Sequence, residues 1–257
     1  MDKSRKPHPT IKIADVLKTG EKMGIEGEAI REYRAPGLQI HAYYLPVSHH
    51  GGDLYAIYYM QDGKTAFFIG DIAGHDFSSA IVAADVMSYV EKNHQRLLQP
   101  HKFLTRMGRD LHKKLFSLQR HMTAGIFLVD ANNNKVFIST AGHPPSILYR
   151  GETNTVNAVG ERSFPIGFDA NVKYTSLSEN FGEEDILLLY TDGVVSAKNA
   201  DGEEFGVQPL EESLKIAGGE SKQVIENILK RIKDFSSDEK AEDDRTLLCI
   251  SRNYSPK

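Results

Sequence analysis

Residues 51–74 read GGDLYAIYYMQDGKTAFFIGDIAG. Two runs rich in apolar and aromatic residues, Leu54 to Met60 and Thr65 to Ile69, flank Asp62-Gly63, a strong signal for a hairpin turn. A two-residue loop at that turn brings Asp53 and Asp71 near each other at the open end of the hairpin, within reach of a shared ion. Glycines surround both carboxylates, in Gly51-Gly52-Asp53 and in Gly70-Asp71-Ile72-Ala73-Gly74. Such glycines allow tight backbone paths and close approach of a ligand.

Outward from this hairpin the pattern alternates. Val82, Val86, Tyr89 and Val90 share one helical face, and Leu104, Met107, Leu111, Leu115 and Leu118 share another, with Pro100 between the two helices. Strands are expected at Thr123 to Val129, Val136 to Ser139, Ser146 to Tyr149, Thr155 to Val159 and Tyr174 to Leu177. Ile186 to Tyr190 is a continuous apolar run, as a buried strand requires. Helical stretches carrying Leu210 and Leu214, then Val224, Ile225, Ile228, Leu229 and Ile232, precede a last strand, Thr246 to Ser251. Hairpins mixed with paired helices predict antiparallel sheets covered by helices, an α+β domain. Before it, residues 1–9 read as a tail. Residues 10–35 read as one amphipathic helix, weakened by Gly20, Gly24 and Gly27, and a candidate regulatory or dimerising element. The main domain is expected over 36–253, with a short tail at 254–257.

Bulk properties narrow the function. The chain has 257 residues, with 31 basic against 35 acidic and a formal charge of -4, so nothing draws it generally to nucleic acid or an anionic membrane. The single cysteine, Cys249, excludes an intrachain disulfide and fits a reducing compartment, where it reads as a core residue. No apolar run is long enough to span a bilayer, and Met1 to Pro9 lack the apolar stretch of a secretory signal. The expectation is a cytoplasmic protein.

Two further acidic sites sit at strand ends. Asp192 follows Ile186 to Tyr190, and Asp243-Asp244 precede the last strand. If those strands are antiparallel neighbours, Asp192 lies beside Asp243. Four or five clustered carboxylates raise one another's pKa and cannot stay ionised without compensation. Divalent cations supply it, and an all-oxygen donor set points to magnesium or manganese. No Cys/His set has zinc spacing. Singly, each of Asp53, Asp71, Asp192 and Asp243 is explained about as well by turn chemistry. Together, at strand ends and among glycines, they are not. Asp62-Gly63 and Asp201-Gly202 keep the plain reading of turns.

The ordered set Gly51-Gly52-Asp53, Gly70 to His75, Thr140-Ala141-Gly142-His143-Pro144-Pro145, Pro165-Ile166-Gly167, Asp185 to Gly193 and Asp243-Asp244-Arg245-Thr246 resembles the PPM-type phosphatases of the protein phosphatase 2C superfamily, closest to the bacterial SpoIIE/RsbU-like branch. The resemblance covers about 36–253. It implies a four-layer αββα sandwich of two antiparallel sheets flanked by helices, with two Mn or Mg ions at one edge. It further implies that Asp71 bridges the ions, that the Ile72 carbonyl binds one of them, that Asp192 and Asp243 bind the other, and that Asp53 binds directly or through water; Asp244 is an adjacent candidate ligand. The implied reaction is hydrolysis of phosphoserine or phosphothreonine on a partner protein by a metal-activated water, with a STAS-type anti-sigma-factor antagonist as the expected substrate.

One departure from the branch is Asp76, where glycine is usual. It reads as a helix cap, or as a sign of altered activity. The alternative is therefore a binding-only pseudophosphatase. A nucleotide cyclase is a weaker rival: Gly51-Gly52-Asp53 matches part of a diguanylate cyclase turn, but Leu54-Tyr55 follow and the catalytic glutamate is missing. His49, His50 and His75 read as loop residues with at most a minor role at the site. The basic run Lys102, Arg106, Arg109, Lys113, Lys114 and Arg120 reads as the solvated face of a helix that could dock an acidic partner.

Overall fold

Strand β10 (Ile186–Tyr190) has all five side chains buried, because both faces of its sheet are covered. Leu187 and Leu189 join Leu38, Ile40, Phe67, Ile69, Phe127, Leu248 and Ile250 in an apolar layer between two sheets. Ile186, Leu188 and Tyr190 join Tyr43, Leu247, Cys249, Leu210, Leu214, Val224 and Ile228 in a second layer beneath helices. The same split recurs on β4 (Lys64–Ile72): Phe67 and Ile69 face the other sheet, while Ala66 and Phe68 face helices. A side chain of this size contributes about 1.5–3 kcal/mol when fully buried, so the alternation fixes which face of each strand points where.

This computed structural model describes residues 29–47, 51–74, 77–236 and 241–252. The first sheet has the order β1-β2-β11-β10-β7-β8, built from β1 (Arg31–Ala35), β2 (Leu38–Leu45), β7 (Ser146–Arg150), β8 (Thr155–Val159), β10 and β11 (Arg245–Arg252). The second has the order β3-β4-β5-β6-β9, built from β3 (Asp53–Tyr59), β4, β5 (Met122–Asp130), β6 (Lys135–Ala141) and β9 (Leu177–Asn180). All the ladders are antiparallel. Helices α1 (Phe77–Asn93) and α2 (Pro100–Ser117) cover the second sheet through Val82, Val86, Phe103, Leu104 and Met107. Helices α4 (Gln208–Ile216) and α5 (Ser221–Ser236) cover the first. A four-residue helix, α3 (Asp192–Val195), follows β10 directly. The result is the expected αββα sandwich. No helix among the described residues is long and apolar enough to cross a membrane.

Four local expectations change. Arg31–Ala35, expected as the end of a helix, form β1 and pair with β2; the rest of that segment up to residue 28 lies outside the described residues. The β3–β4 loop has three residues, Gln61 to Gly63, closed by Met60 N–H donating to the Lys64 carbonyl at 2.9 Å. Asp62 and Gly63 both take positive φ there, at 59° and 72°. The strand expected at Tyr174 to Leu177 begins only at Leu177, because Tyr174 is drawn into the helix layer, where its ring covers Gly108 and its N–H reaches Thr105 Oγ1 at 3.1 Å. The basic run on α2 is partly committed within the molecule: Lys114 pairs with Asp85, and Arg106 and Arg109 pair with Asp110. Arg120 lies beyond the helix and donates to Ser78 Oγ at the start of α1.

Candidate active site

The hairpin register sets Asp53 directly opposite Asp71, and the next ladder sets Asp71 opposite Thr123. Antiparallel pairing of β10 with β11, where Tyr190 faces Leu247, carries Asp192 and the Asp243-Asp244 turn to the same rim. Asp71, Asp192, Asp243 and Asp244 all line one cavity of about 260 Å³, with Ile72, Gly52, His121 and Thr123. A neighbouring cavity of about 300 Å³ shares Asp243, but its wall mixes charges, and Lys198 there is paired with Glu242 at 3.0 Å. The acidic cavity is therefore the candidate site.

Close packing explains the glycines at this rim. A Cβ on Gly52 would sit 2.6 Å from the Ile72 carbonyl oxygen and 3.1 Å from Asp71 Oδ1. One on Gly51 would sit 2.7 Å from Asp244 Oδ2, and one on Gly193 would sit 2.1 Å from the Asp244 carbonyl oxygen. Any side chain at 51, 52 or 193 would push apart the segments that carry the carboxylates.

The carboxylates fall into two kinds. Asp244 is buried and satisfied by backbone donors: Val47 N–H donates to Oδ1 at 2.7 Å, and Gly52 and Asp53 N–H donate to Oδ2 at 2.5 and 3.3 Å. It holds the approach to β3 in place. Asp53 is also buried and does not line the cavity. Its Oδ2 accepts hydrogen bonds from Thr191 Oγ1 at 2.7 Å and Thr246 Oγ1 at 2.6 Å. Thr191 Oγ1 in turn accepts from Thr246 N–H at 2.9 Å, which locks the end of the β10–β11 ladder onto β3. Burial and the nearby Asp71 charge still push the Asp53 carboxyl well above the usual range.

Asp71 is the half-buried counterpart that lines the cavity. Burial, then the charges of Asp192, Asp243 and Asp244, push its carboxyl up to about 7. Asp192 and Asp243 stand exposed at the mouth. Asp192 opens α3, and Asp243 Oδ1 accepts from Asp244 N–H at 2.9 Å. The structure thus gathers all the sequence-predicted acidic residues at one rim, with Asp71, Asp192 and Asp243 in the cavity, Asp244 both lining it and bracing the loop, and Asp53 held one strand away. His49, His50, His75 and Asp76 lie outside the described residues.

Thr191, Thr246, Thr123 and His121 escape the sequence reading as individual contributors. Thr191 and Thr246 stand beside Asp192 and Asp244 in the motifs, but only the fold shows that both hydroxyls turn to Asp53.

The donors present suit a hard divalent cation: carboxylate oxygens of Asp71, Asp192 and Asp243 and the Ile72 carbonyl, with neither cysteine nor a histidine pair. Among the described residues, no three acidic, histidine or cysteine side chains already enclose a single point. The fit therefore rests on donor chemistry and on the unbalanced negative charge around Asp71.

Residues 61–253 match the family described as Stage II sporulation protein E (SpoIIE). The chain is 31% identical over 161 residues to the phosphoserine phosphatase RsbP of Bacillus subtilis, an alignment covering 62% of this chain and 40% of that protein. Among solved structures, the RsbU and RsbW domains of a Mycobacterium tuberculosis protein superpose with a TM-score of 0.71 at 23% identity, over 87% of this chain and 62% of that one. The PP2C phosphatase domain of Bacillus subtilis SpoIIE, solved with a fragment of its regulatory domain, gives 0.65 at 16% identity, over 87% and 70%. RsbX in complex with magnesium gives 0.66 at 16%, over 88% and 100%. On the matched sequence and the shared sandwich, this chain belongs to the SpoIIE family and has the fold of PP2C-type phosphatase domains.

Proposed function

We propose that this chain hydrolyses phosphoserine or phosphothreonine esters on a partner protein, in the cavity walled by Asp71, Asp192 and Asp243. The observation that carries this reading is the convergence of these three acids, from the ends of β4, β10 and the turn before β11, on one cavity with no cation among its lining residues except those histidine can supply. Such a wall repels a phosphate ester unless bound metal reverses its sign. Asp71, the Ile72 carbonyl, Asp192 and Asp243 would hold two magnesium or manganese ions, with Asp53 contributing from behind Asp71. When bound, these ions acidify a water and offset charge on the phosphoryl oxygens.

The protein's own part is positional. Asp244 pins the chain before β3 through three backbone N–H groups, so that Gly52 can pass close to Ile72 and Asp71. Thr191 and Thr246 hold Asp53 in one orientation and tie the two sheets together where the acids meet. The name of the relative RsbP supports a phosphoserine ester, and the SpoIIE/RsbU-like resemblance supports a STAS-type antagonist as the substrate protein. The binding-only alternative rests on Asp76, which lies outside the described residues, and no other observation favours it.

The test is to incubate the chain with phosphorylated STAS domains and with p-nitrophenyl phosphate, with and without manganese. Metal-dependent phosphate release from both is expected. Release from neither would leave the fold without this function.

A further inference from the structure

His143 is 5% exposed and sits just past β6, in the Gly142-His143-Pro144 turn. Its Nδ1 lies 3.0 Å from Thr123 Oγ1. Thr123 lines the acidic cavity and is the cross-strand partner of Asp71; directly opposed residues of a ladder project to the same face, with Cβ atoms about 4.5–5.5 Å apart. The other ring nitrogen, Nε2, is buried and completes no hydrogen bond. The remaining polar influence on the ring is the backbone carbonyl of Tyr190, which favours a proton on the imidazole. Tyr190 ends β10, two residues before Asp192. The ring therefore packs against Thr123 of β5, behind the cavity wall.

We propose that His143 is a positioning residue: its buried imidazole accepts the Thr123 hydroxyl proton at Nδ1 and so fixes Thr123 Oγ1 with its lone pairs toward the cavity.

A hydroxyl can donate one hydrogen bond and accept two, and its rotor is set by whichever partner is fixed. A neutral imidazole carries one proton, and the nitrogen that keeps it is set by the acceptor facing it. A ring that keeps its proton on Nε2 leaves Nδ1 free to accept from the Thr123 hydroxyl, 3.0 Å away. Burial holds the ring neutral, pushing its pKa down to about 4. Thr123 then offers the cavity an acceptor and no donor. That is the polarity needed to orient a water by one of its protons, beside Asp71, with its oxygen turned away from the wall. The mechanistic value of this orientation rests on the phosphatase reading above; the tautomer and the Thr123 contact do not.

Two measurements test it. The first is long-range 15N NMR of the histidines in the metal-free protein. His143 should show the neutral Nε2–H tautomer, and Thr123→Val should shift its Nδ1 resonance. An Nδ1–H tautomer, or no response to Thr123→Val, overturns the proposal whatever the enzyme does. The second is a double-mutant cycle on manganese-dependent hydrolysis of p-nitrophenyl phosphate, using variants whose cooperative thermal unfolding shows that they fold. Thr123→Val and His143→Leu should each lower kcat by roughly 10–100-fold, the range for outer partners of a reactive site. The double variant should be no worse than either single one. His143→Asn, whose amide oxygen can accept from Thr123, should recover most of the loss. Additive losses, or a Thr123→Val enzyme with unchanged kcat, overturn it. If the unmodified chain turns over no phosphate ester, the functional reading fails and the NMR result still decides the tautomer.

Discussion

The two ends of the β3–β4 hairpin treat their acids in opposite ways. At the closed end, Asp130 on the adjoining strand is buried yet fully answered: Lys64 lies 3.2 Å away, and Asn133 donates from both its backbone and its side chain. Burial opposes ionisation there, but the hydrogen bonds from Asn133 and Lys64 win, and the Asp130 carboxyl lies below the usual range. At the open end, burial and then the neighbouring acids push the Asp71 carboxyl up to about 7. The same sheet thus holds an acid that stabilises the fold and, one strand length away, an acid that costs stability until something positive arrives. A structure retained for stability alone has no reason to build the second end.

Breaking the open end should have the largest effect. Asp71→Asn is expected to lower metal-dependent phosphatase turnover by roughly two to three orders of magnitude, the several kcal/mol that metal-assisted chemistry supplies. The metal-free variant should unfold at a temperature no lower than the unmodified chain, because a repelled charge has been removed. Next come the residues behind it. Thr246→Val takes one of two hydroxyl donors from Asp53 and should raise the manganese concentration for half-activation by roughly tenfold, with far less effect on thermal unfolding.

Breaking the closed end should do the reverse. Asp130→Ala leaves Lys64 and Asn133 without their acceptor and should cost about 1–3 kcal/mol in urea unfolding, while turnover per folded molecule stays unchanged. Loss of activity there, without loss of stability, would erase the distinction between the ends.

The smallest effect is in pH. A carboxyl with a raised folded pKa favours the folded state fully below its unfolded value, and that contribution is lost as pH rises through the folded value. Metal-free protein should therefore lose stability, relative to Asp71→Asn, as pH rises from near 3.8 to about 7. Asp130 has the opposite sign: its contribution is present above the ordinary value and is lost as pH falls below it. Thermal melts of both proteins across that window, with chelator present, measure the difference.

The hairpin shows how much of this was legible in residue order. Alternation around Asp62-Gly63 located β3 and β4 and brought Asp53 to Asp71, because register follows from the turn. The actual three-residue loop places the two acids directly opposite each other. The apolar run Ile186 to Tyr190 and the strand from Thr246 were equally readable, and their antiparallel pairing puts Asp192 and Asp243 on one cavity. Tertiary packing hid the rest. Arg31–Ala35 have little intrinsic strand signal and become a strand by pairing with β2 at a sheet edge. Tyr174 is claimed by α2 rather than by the ladder. The difference between Asp244, satisfied by backbone donors, and Asp243, exposed at the mouth, does not show in two identical letters side by side. Thr191 and Thr246, 55 residues apart, meet only at Asp53.

On this reading the acidic rim takes up divalent cations, and Asp71 is the residue through which it does so. Calorimetric titration of metal-free protein with manganese at pH 6.5, in buffers of different ionisation heat, tests this most directly. Binding accompanied by proton release is expected in the unmodified chain, and loss of both in Asp71→Asn. Binding of equal strength in the variant, or none in the unmodified chain, would contradict it.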